Sequence, residues 1–179
     1  MAQNKALITD LFSSALGLAF CGVATVTPGF FITRNGRMSI FYFNYKEFGS
    51  DSWSTKTYLA YDEEHDTNGS TQLSMLDVQL ESLLTLVLGG FGWLILLSNT
   101  KKTAPIPLMC LTGGIFLLVA ATSELVVLVR FIALNTSYNA AVTNSKKRFD
   151  SLERPNVEVP ISLILAGVGI TYILIAVVE

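Results

Sequence analysis

The stretch that decides the fold runs from Thr103 to Arg130 and reads TAPIPLMCLTGGIFLLVAATSELVVLVR. It carries no charged residue between Ala104 and Ser123. About 20 such residues form a helix of roughly 30 Å, at 1.5 Å per residue, and this length matches the hydrocarbon core of a bilayer. The stretch is therefore predicted to cross a membrane as a helix.

The rest of the chain agrees with a membrane protein. Of its 179 residues, 51% are hydrophobic and 15% are charged, which is too apolar for a soluble domain of this size. With three further apolar runs, the chain is predicted to have four spans, at about residues 8–28, 81–98, 104–130 and 159–178. Between them lie two large loops and one short hairpin, at residues 29–80, 131–158 and 99–103. We expect a single four-pass domain.

The first apolar run, residues 11–26, has two interpretations. Pro28-Gly29 is a typical end for a helix, because proline removes a backbone donor and glycine frees the backbone. Gly22 and Ala24 also satisfy the small-x-small rule of a signal-peptide cleavage site. We favour a retained span, because the run is longer than a signal-peptide core and its start carries a single lysine with a nearby acid.

The first large loop contains β-favouring segments. The segments MSIFYFNYKEF (38–48) and STKTYLAY (54–61) are rich in aromatic residues and partly alternate. They predict two to four short strands, packed as a small sheet against the outer membrane surface. The expected fold class is thus an all-α membrane four-helix bundle with a small extracellular β-sheet.

The orientation is predicted from two lysines. Lys101 and Lys102 lie in the hairpin and mark it as cytoplasmic under the positive-inside rule. Four spans then place both termini in the cytoplasm and both large loops outside, in the plasma membrane or a secretory-organelle membrane. The two glycosylation sequons, at Asn68 and Asn135, both fall in these outer loops, as modification requires.

Glu124 is the most conspicuous polar residue, since it lies inside the third span. An intramembrane carboxylate costs at least a few kcal/mol unless it is neutral, paired or near the interface. One interpretation is a partner contact or ion site. The favoured alternative is an interfacial acid bonded to Ser123, Thr122 or a neighbouring helix. Arg130 is six positions on, off the same helix face, and is expected to extend towards the headgroups.

The two outer loops differ in charge. Counted over residues 34–81, the first has four basic and eight acidic residues, whereas the second, counted over residues 130–158, has five basic and three acidic ones. Such loops can attract each other or a complementary partner. Candidate partner contacts are the basic cluster Lys146-Lys147-Arg148, together with Trp53, Glu124 and Arg130. The plain alternative for the cluster is a solvated loop.

Small residues recur in the apolar runs, where they let helix backbones approach one another. The predicted helix-packing positions are six glycines and one aromatic residue: Gly17, Gly22, Gly113, Gly114, Phe116, Gly167 and Gly169. Cys21 and Cys110 also fall in apolar runs, and we interpret them as small buried hydrophobes rather than as a disulfide framework.

The residue inventory disfavours catalysis. The one histidine, His65, lies in a loop, and both cysteines lie in spans, so no Ser/His/Asp or Cys/His set can be assembled. The chain has no phosphate-binding glycine motif and no basic stripe that would bind nucleic acid. We expect no catalytic site, no cofactor and no metal.

Two segments resemble a known family. Residues 113–121, GGIFLLVAA, resemble the GGxxFxxAG pattern in the third helix of the claudin superfamily, which includes peripheral myelin proteins and calcium-channel γ subunits. Gly17 followed by Pro28-Gly29-Phe30 is similar to the Gly-Trp opening and Pro-x-Trp ending of that family's first span. The order of long loop, short hairpin and shorter loop is similar too. This resemblance implies a claudin-like fold.

The chain also departs from the family. Claudins carry W-x-GLW-C-C in the first loop, whereas Trp53 is the only tryptophan in the first loop of this chain and that loop contains no cysteine. The terminal Ala-Val-Val-Glu differs from a claudin PDZ-binding end, so scaffold anchoring and pore formation are in doubt. Size, four passes and this tail also resemble a nematode sperm four-pass surface protein needed at fertilisation.

Two functional hypotheses follow. The first is a non-enzymatic cell-surface protein that mediates recognition or adhesion through its outer loops, for example between gametes. The alternative is an auxiliary subunit that traffics or modulates an ion channel in the same membrane. The expected partners are the lipid bilayer and a membrane protein in the same or an opposing membrane; no nucleic acid is expected, and a homo-oligomer is compatible with either hypothesis.

Overall fold

The computed structural model describes residues 2–33, 36–46, 52–57, 75–100, 106–148 and 159–178. The helices in this part of the chain are α1 (Ala2–Val26), α2 (Met75–Thr100), α3 (Pro107–Arg148) and α4 (Ile161–Val178). The strands are β1 (Phe31–Thr33), β2 (Gly36–Met38), β3 (Tyr42–Lys46) and β4 (Trp53–Thr57). Each of these four helices contains a segment long and apolar enough to cross a bilayer, which confirms the four predicted apolar helices.

The helices form two antiparallel pairs, of which the first is α1 with α4. A Cβ atom added at Gly17 would lie 2.6 Å from Cγ1 of Ile173 and 2.7 Å from the carbonyl oxygen of Gly169. One added at Gly169 would lie 2.8 Å from the carbonyl oxygen of Gly17. The two backbones therefore touch at a point where only glycine fits, as is usual for helices packed in a membrane.

The second pair, α2 with α3, has a similar contact. A Cβ atom added at Gly92 would lie 2.9 Å from the carbonyl oxygen of Gly113, and one at Gly113 would lie 3.2 Å from that of Gly92. The pair closes at buried Asn99, whose Oδ1 accepts a hydrogen bond of 2.9 Å from the backbone N–H of Ile106. We call this the hairpin end of the bundle and the opposite end the sheet end.

The interior of the bundle combines an apolar core with several buried polar side chains, and its outer surface is apolar. On α2, Ser82 and Thr85 are buried, whereas Leu80 and Leu94 are more than half exposed. Large apolar side chains on the outside are stable only when lipid surrounds them, so this distribution fits a membrane protein. Leu76 and Leu83, near the start of α2, also lie on this outer surface.

The third helix is longer than the sequence predicts. A loop was expected over residues 131–158, but α3 continues to Arg148 and contains 42 residues. At 1.5 Å per residue it is about 63 Å long, twice the thickness of the hydrocarbon core. Polar composition predicts a loop here, yet neither glycine nor proline occurs between Gly114 and Pro155 to break the helix.

The four strands form one antiparallel sheet in the order β1-β2-β3-β4, in agreement with the predicted two to four strands. The extension of α3 supports the first strand. The ring of Phe30, just before β1, stacks on Phe131 at 4.5 Å between centroids, and Phe31 meets Tyr138 edge-on at 4.9 Å. The sheet is thus packed on the end of the bundle where α1 ends and α4 begins.

The same mutation at two glycines should have opposite effects. Gly17→Ala places a methyl group against the α4 backbone, so it should destabilise the protein by about 1–3 kcal/mol. Gly90→Ala adds a methyl group where nothing lies within 4 Å, and it should stabilise α2 by about 0.5–1 kcal/mol through helix propensity. Thermal unfolding in detergent measures both effects; a Gly17 variant as stable as the Gly90 variant would contradict the packing.

Candidate functional site

In the sheet, two basic residues lie close to one tryptophan. Arg37 of β2 lies opposite Asn44 of β3, and Lys46 of β3 lies opposite Trp53 of β4. Residues that face each other across a ladder share a face of the sheet, and so do alternate residues of one strand. Arg37, Lys46 and Trp53 therefore project from the same face.

Both cations contact the tryptophan ring. Cζ of Arg37 lies 5.2 Å from the ring centroid of Trp53, and Nζ of Lys46 lies 5.6 Å from it. Trp53 is 43% exposed, so this group faces solvent rather than the core. We call Arg37, Lys46 and Trp53 the cationic sheet face. Cations within about 6 Å of an indole ring are attracted to it, so the three side chains support one another's positions.

The opposite face of the sheet has a similar composition. Nζ of Lys56 lies 5.5 Å from the ring centroid of Tyr45, and that ring lies 5.4 Å from the ring of Phe43. Residues 36–46 and 52–57, which include the described parts of β2, β3 and β4, contain three basic residues and no acidic one. Their side chains therefore make this part of the sheet electrostatically positive.

The cationic sheet face stands away from the helices. The strand β3 leaves the bundle at Tyr42, whose hydroxyl donates a hydrogen bond of 2.9 Å to the carbonyl oxygen of Val26 at the end of α1. Lys46 follows four residues later, and a strand advances about 3.3 Å per residue, so Lys46 lies about 13 Å further along β3. Lys46 and its partner Trp53 are thus separated along the strand from the contact with α1.

A second candidate, Glu124, lies inside the bundle. Its exposed fraction is 0%, and neither carboxyl oxygen has a hydrogen-bond partner among the described residues. The antiparallel register of α2 and α3 is set by two hydrogen bonds, from the Thr85 hydroxyl to the Ala120 carbonyl (3.3 Å) and from the Ser123 hydroxyl to the Glu81 carbonyl (2.9 Å). This register brings Ser82 to the level of Glu124.

The hydroxyl of Ser82 is also buried and has no hydrogen-bond partner in the described part of the chain. Two neighbouring helices thus place unsatisfied polar groups at one depth. A buried polar group without a partner costs about 1–3 kcal/mol, and more if it is charged. The side chain of Glu124 is therefore a cost to stability that local hydrogen bonds do not offset.

The hydrogen bonds that the sequence predicts from Ser123 or Thr122 to Glu124 are not formed, whereas the Thr85 hydroxyl of α2, a neighbouring helix, lies next to the Glu124 carboxyl group. The hydroxyl of Ser123 donates to Glu81, and the hydroxyl of Thr122 donates to the carbonyl oxygen of Leu118 at 2.8 Å. The prediction that either hydroxyl bonds Glu124 is wrong, because serine and threonine in a helix readily donate to carbonyl oxygens of the backbone. A partner contact of Glu124 stays a prediction, and the side chain is enclosed by the bundle in this structure.

Arg130 is paired with α2. Nη2 of Arg130 lies 2.9 Å from Oε1 of Glu81, and Nη1 lies 3.9 Å from Oδ2 of Asp77. The arginine side chain is 35% exposed, so solvent screens the pair and its contribution to stability is modest. The pair links α2 to α3 near the sheet end, about 9 Å along the helix from Glu124 at 1.5 Å per residue.

The structure describes one of the two predicted glycosylation sites and not the other. Asn68 lies outside the described residues. Asn135 lies within α3, where its Nδ2 donates hydrogen bonds of 2.9 Å to the carbonyl oxygens of Phe30 and Phe131. The amide of Asn135 thus joins the helix to the start of the sheet, whereas an acceptor asparagine is expected on a surface loop.

The other predicted positions are distributed over the bundle. Lys146, Lys147 and Arg148 form the last turn of α3, and the role of their side chains stays a prediction. A Cβ at Gly22 would lie 3.7 Å from Leu86, one at Gly167 would lie 3.6 Å from Leu128, and one at Gly92 would lie 3.1 Å from Cβ of Phe116. These are helix contacts, but a Cβ at Gly114 would meet nothing within 4 Å.

The sequence singles out Trp53 but misses the cations beside it. Arg37 and Lys46 belong to different strands, so their proximity depends on the register of the sheet. The only local signal is the alternation of basic and aromatic residues in segments that also predict strands. Comparison with known protein families gave no matching family, and comparison with curated proteins gave no significant match.

Glycosylation should distinguish the two sequons. In a eukaryotic cell that glycosylates the protein, Asn68→Gln should remove the glycan, and Asn135→Gln should leave it in place, because both N–H groups of the Asn135 amide are engaged. Gel mobility before and after glycosidase treatment measures this. A mobility shift that depends on Asn135 would show that this end of α3 opens before it is modified.

Removing the carboxyl group of Glu124 should stabilise the protein. Glu124→Met keeps a similar side-chain volume and removes both unsatisfied oxygens, so the free energy of unfolding should rise by about 1–3 kcal/mol. Leu117→Met is the matched control on the same helix, where an equally buried apolar residue should change stability by less than about 1.5 kcal/mol. If Glu124→Met lowers the unfolding temperature more than the control does, the carboxyl group has a stabilising partner.

Proposed function

We propose that this protein is a non-enzymatic membrane protein that recognises an acidic partner on an opposing surface through the cationic sheet face. The observation that supports this most is the exposed Trp53 ring with Arg37 and Lys46 over it. Tryptophan and arginine are the residues most enriched at interface positions that contribute most to affinity. The ring is not needed for the bundle core, so a role in binding gives a reason for its exposure.

The charge of the sheet supports an acidic partner. The described sheet residues include Arg37, Lys46 and Lys56 without any acid. A surface of one sign attracts the opposite sign during approach and disfavours partners of like charge. A guanidinium group such as that of Arg37, held over an aromatic ring, keeps N–H donors at its edge, and these can bind carboxylate or sulfate groups.

The distance from the bundle favours a partner outside the protein's own bilayer. The surface potential of anionic lipids decays within a Debye length, about 8 Å at physiological ionic strength. Lys46 lies about 13 Å beyond the point where β3 leaves the bundle, on the 3.3 Å rise of a strand. We therefore propose a macromolecule on another cell or in the extracellular matrix as the partner, with the sheet end extracellular as the lysines of the hairpin predict.

We still propose membership of the claudin superfamily, although the first loop lacks the W-x-GLW-C-C pattern of claudins. Four apolar helices, with a small sheet between the first and the second, support membership of the claudin superfamily. In this chain the extension of α3 supports the sheet through Phe131, Asn135 and Tyr138. These contacts hold the sheet in place without a cysteine pair. Recognition between gametes is one setting that fits the proposal.

A second candidate is an auxiliary subunit of an ion channel. It is favoured by Gly90, because a Cβ at this position of α2 would meet nothing within 4 Å and the helix surface there is open to a partner helix. A channel that co-purifies with the protein from native membranes, and that is lost in a Gly90→Leu variant, would favour this candidate over adhesion.

Charge reversal on the sheet tests the proposed function. The protein is placed in nanodiscs of neutral lipid and incubated with cells of its own organism. The double variant Arg37→Glu, Lys46→Glu should bind at least tenfold more weakly, because two attractive charges become repulsive. Binding of the wild type should weaken as salt is raised, because exposed charges are screened.

The matched control is Lys101→Glu, Lys102→Glu, which makes the same change in net charge in the segment between α2 and α3. It should bind as the wild type does. Equal loss in both double variants would mean that net charge alone controls attachment. Unchanged binding of the sheet variant, with the variant folded as judged by its unfolding temperature, would exclude the cationic sheet face as the recognition surface.

A further inference from the structure

Four polar side chains from three helices lie near one another inside the bundle. Cys21 belongs to α1, Ser82 and Thr85 belong to α2, and Glu124 belongs to α3. All four have an exposed fraction of 0%. The Thr85 hydroxyl and the Cys21 thiol are both close enough to interact with the Glu124 carboxyl group. The register of α2 on α3 brings Ser82 to the same level. We call Ser82, Thr85 and Glu124 the buried oxygen cluster.

Thr85 presents lone pairs rather than a hydrogen to Glu124. A hydroxyl group has one hydrogen and two lone pairs. The hydrogen of Thr85 is directed to backbone carbonyl oxygens, that of Glu81 at 3.0 Å and that of Ala120 at 3.3 Å. An ionised carboxylate is also an acceptor only. Two neighbouring acceptors repel each other, so the contact between Thr85 and Glu124 is stable only with a proton or a cation between them.

Ser82 contributes a further oxygen without a partner. A serine or threonine inside a helix commonly donates to the carbonyl oxygen of the preceding turn. Ser14 donates in this way to Asp10 at 2.7 Å, and Thr171 donates to Gly167 at 2.9 Å. Ser82 forms no such bond with the residues that the structure describes, and its hydroxyl oxygen is buried. Its lone pairs therefore remain available to a ligand at the level of Glu124.

The charge of Glu124 is not balanced by a side chain of the spans. Arg130 is the one basic residue in the four apolar helical segments. Its guanidinium group is bound by Glu81 at 2.9 Å and lies about 9 Å from Glu124 along α3, at 1.5 Å per residue. A buried carboxylate without a partner is strongly destabilising. The carboxyl group of Glu124 thus needs a positive charge from outside the chain.

A cation serves more of these oxygens than a proton does. A proton on the carboxyl group forms one hydrogen bond to one acceptor. A hard cation contacts several oxygens at once, at about 2.4 Å from each. The buried oxygen cluster offers four, namely both carboxyl oxygens of Glu124 and the hydroxyl oxygens of Ser82 and Thr85, and the two carboxyl oxygens and that of Ser82 have no hydrogen-bond partner among the described residues. A bound cation is therefore the occupant that satisfies the cluster as a whole.

The ligand atoms indicate which cation fits. Oxygen ligands favour hard cations. In the described part of the chain no three His, Cys, Asp or Glu residues come together, whereas zinc sites need at least three such ligands. A divalent cation beside the single carboxylate would leave a net positive charge in the apolar interior. K⁺ is larger and is typically held by a full shell of carbonyl oxygens. These points favour Na⁺.

We propose that the buried oxygen cluster binds one Na⁺ ion between α2 and α3, beside the Cys21 thiol of α1. Glu124 supplies the charge, and Ser82 and Thr85 supply neutral oxygens. The bound ion joins α2 to α3 on the sheet side of the Gly92–Gly113 contact. The sequence predicts no metal site, because only the packing of α2 on α3 brings these residues together. This inference is independent of the cationic sheet face and of any recognition partner.

Thermal unfolding of the purified full chain in detergent tests the proposal. NaCl is compared with choline chloride at equal ionic strength, so that general screening of charges is constant. Na⁺ at about ten times its dissociation constant should raise the unfolding temperature of the wild type by about 3–6 °C, because a ligand that binds only the folded state stabilises it. KCl should have a smaller effect. Equilibrium binding of radioactive sodium should give one ion per chain.

Two variants should lose the response. Glu124→Gln keeps the shape of the side chain and removes its charge, so its unfolding temperature should not change with Na⁺. Ser82→Ala should bind Na⁺ at least fivefold more weakly. Ser98→Ala is the matched control, since it is the same substitution on the same helix, and the Ser98 hydroxyl donates to the carbonyl oxygen of Ile95 at 2.8 Å. It should respond as the wild type does. If Glu124→Gln does not yield folded protein, Ser82→Ala and Ser98→Ala decide the test.

Several results would overturn the proposal. They are a folded wild type that binds no radioactive sodium, an equal rise in unfolding temperature for the wild type and Glu124→Gln, and a larger rise with Ca²⁺ than with Na⁺ at equal ionic strength. A wild type whose unfolding temperature depends on pH but not on Na⁺ would show that a proton occupies the site instead.

The Glu124→Met variant provides a second readout. The stabilisation expected of it refers to sodium-free buffer, where the carboxyl oxygens of the wild type have no partner among the described residues. Added Na⁺ should stabilise the wild type and Leu117→Met, which both keep the cluster, but not Glu124→Met. The advantage of Glu124→Met over the wild type should therefore shrink as Na⁺ is added; an advantage that stays constant would contradict the assigned site.

Discussion

The fold depends on one constraint, which is that lipid rather than water surrounds the helices. Leucine is as well solvated by lipid as by other leucines, so large apolar side chains gain little by turning inward. Close approach of backbones supplies the attraction instead. Gly17 with Gly169 joins α1 to α4, and Gly92 with Gly113 joins α2 to α3. Buried hydroxyls and Asn99 complete the interior with hydrogen bonds that lipid cannot offer.

The same constraint explains how a small sheet is held in place at the end of the bundle. Four short strands have too little apolar area to be stable alone. Their support comes from α3, which continues beyond the bilayer and presents Phe131, Asn135 and Tyr138 to the residues around β1. The far strand β4 carries the exposed side chains of Trp53 and Lys56, and the half-buried strand β3 carries Tyr45 and Lys46 beside them. A single long helix thus connects membrane insertion to the surface proposed for recognition.

The sequence predicts well the features that depend on the average hydropathy of many residues. The four apolar helices are of this kind. The aromatic and β-favouring segments 38–48 and 54–61 also predict strands, and β3 and most of β4 lie within them. What the sequence misses depends on three-dimensional register. The pairing of Lys46 with Trp53 requires knowledge of strand alignment, and the open space at Gly114 requires knowledge of how the helices pack around it. The sequence does not predict the length of α3, because the polar composition of residues 131–158 indicates a loop. A helix that leaves the bilayer passes from lipid into water and can continue as a helix.

Glu124 shows where this bundle can tolerate polarity. An ionisable group costs most at the centre of a bilayer and less towards its edge. Glu124 lies about 9 Å from Arg130 along α3, on the 1.5 Å rise of a helix, and Arg130 with Glu81 marks the sheet end of α2 and α3. The tight contact of Gly92 with Gly113 lies on the hairpin side of Glu124. The unsatisfied oxygens of Glu124 and Ser82 therefore lie on the sheet side of that contact. A carboxyl group kept there at a cost in stability is best understood as serving function, because packing alone would favour an apolar residue.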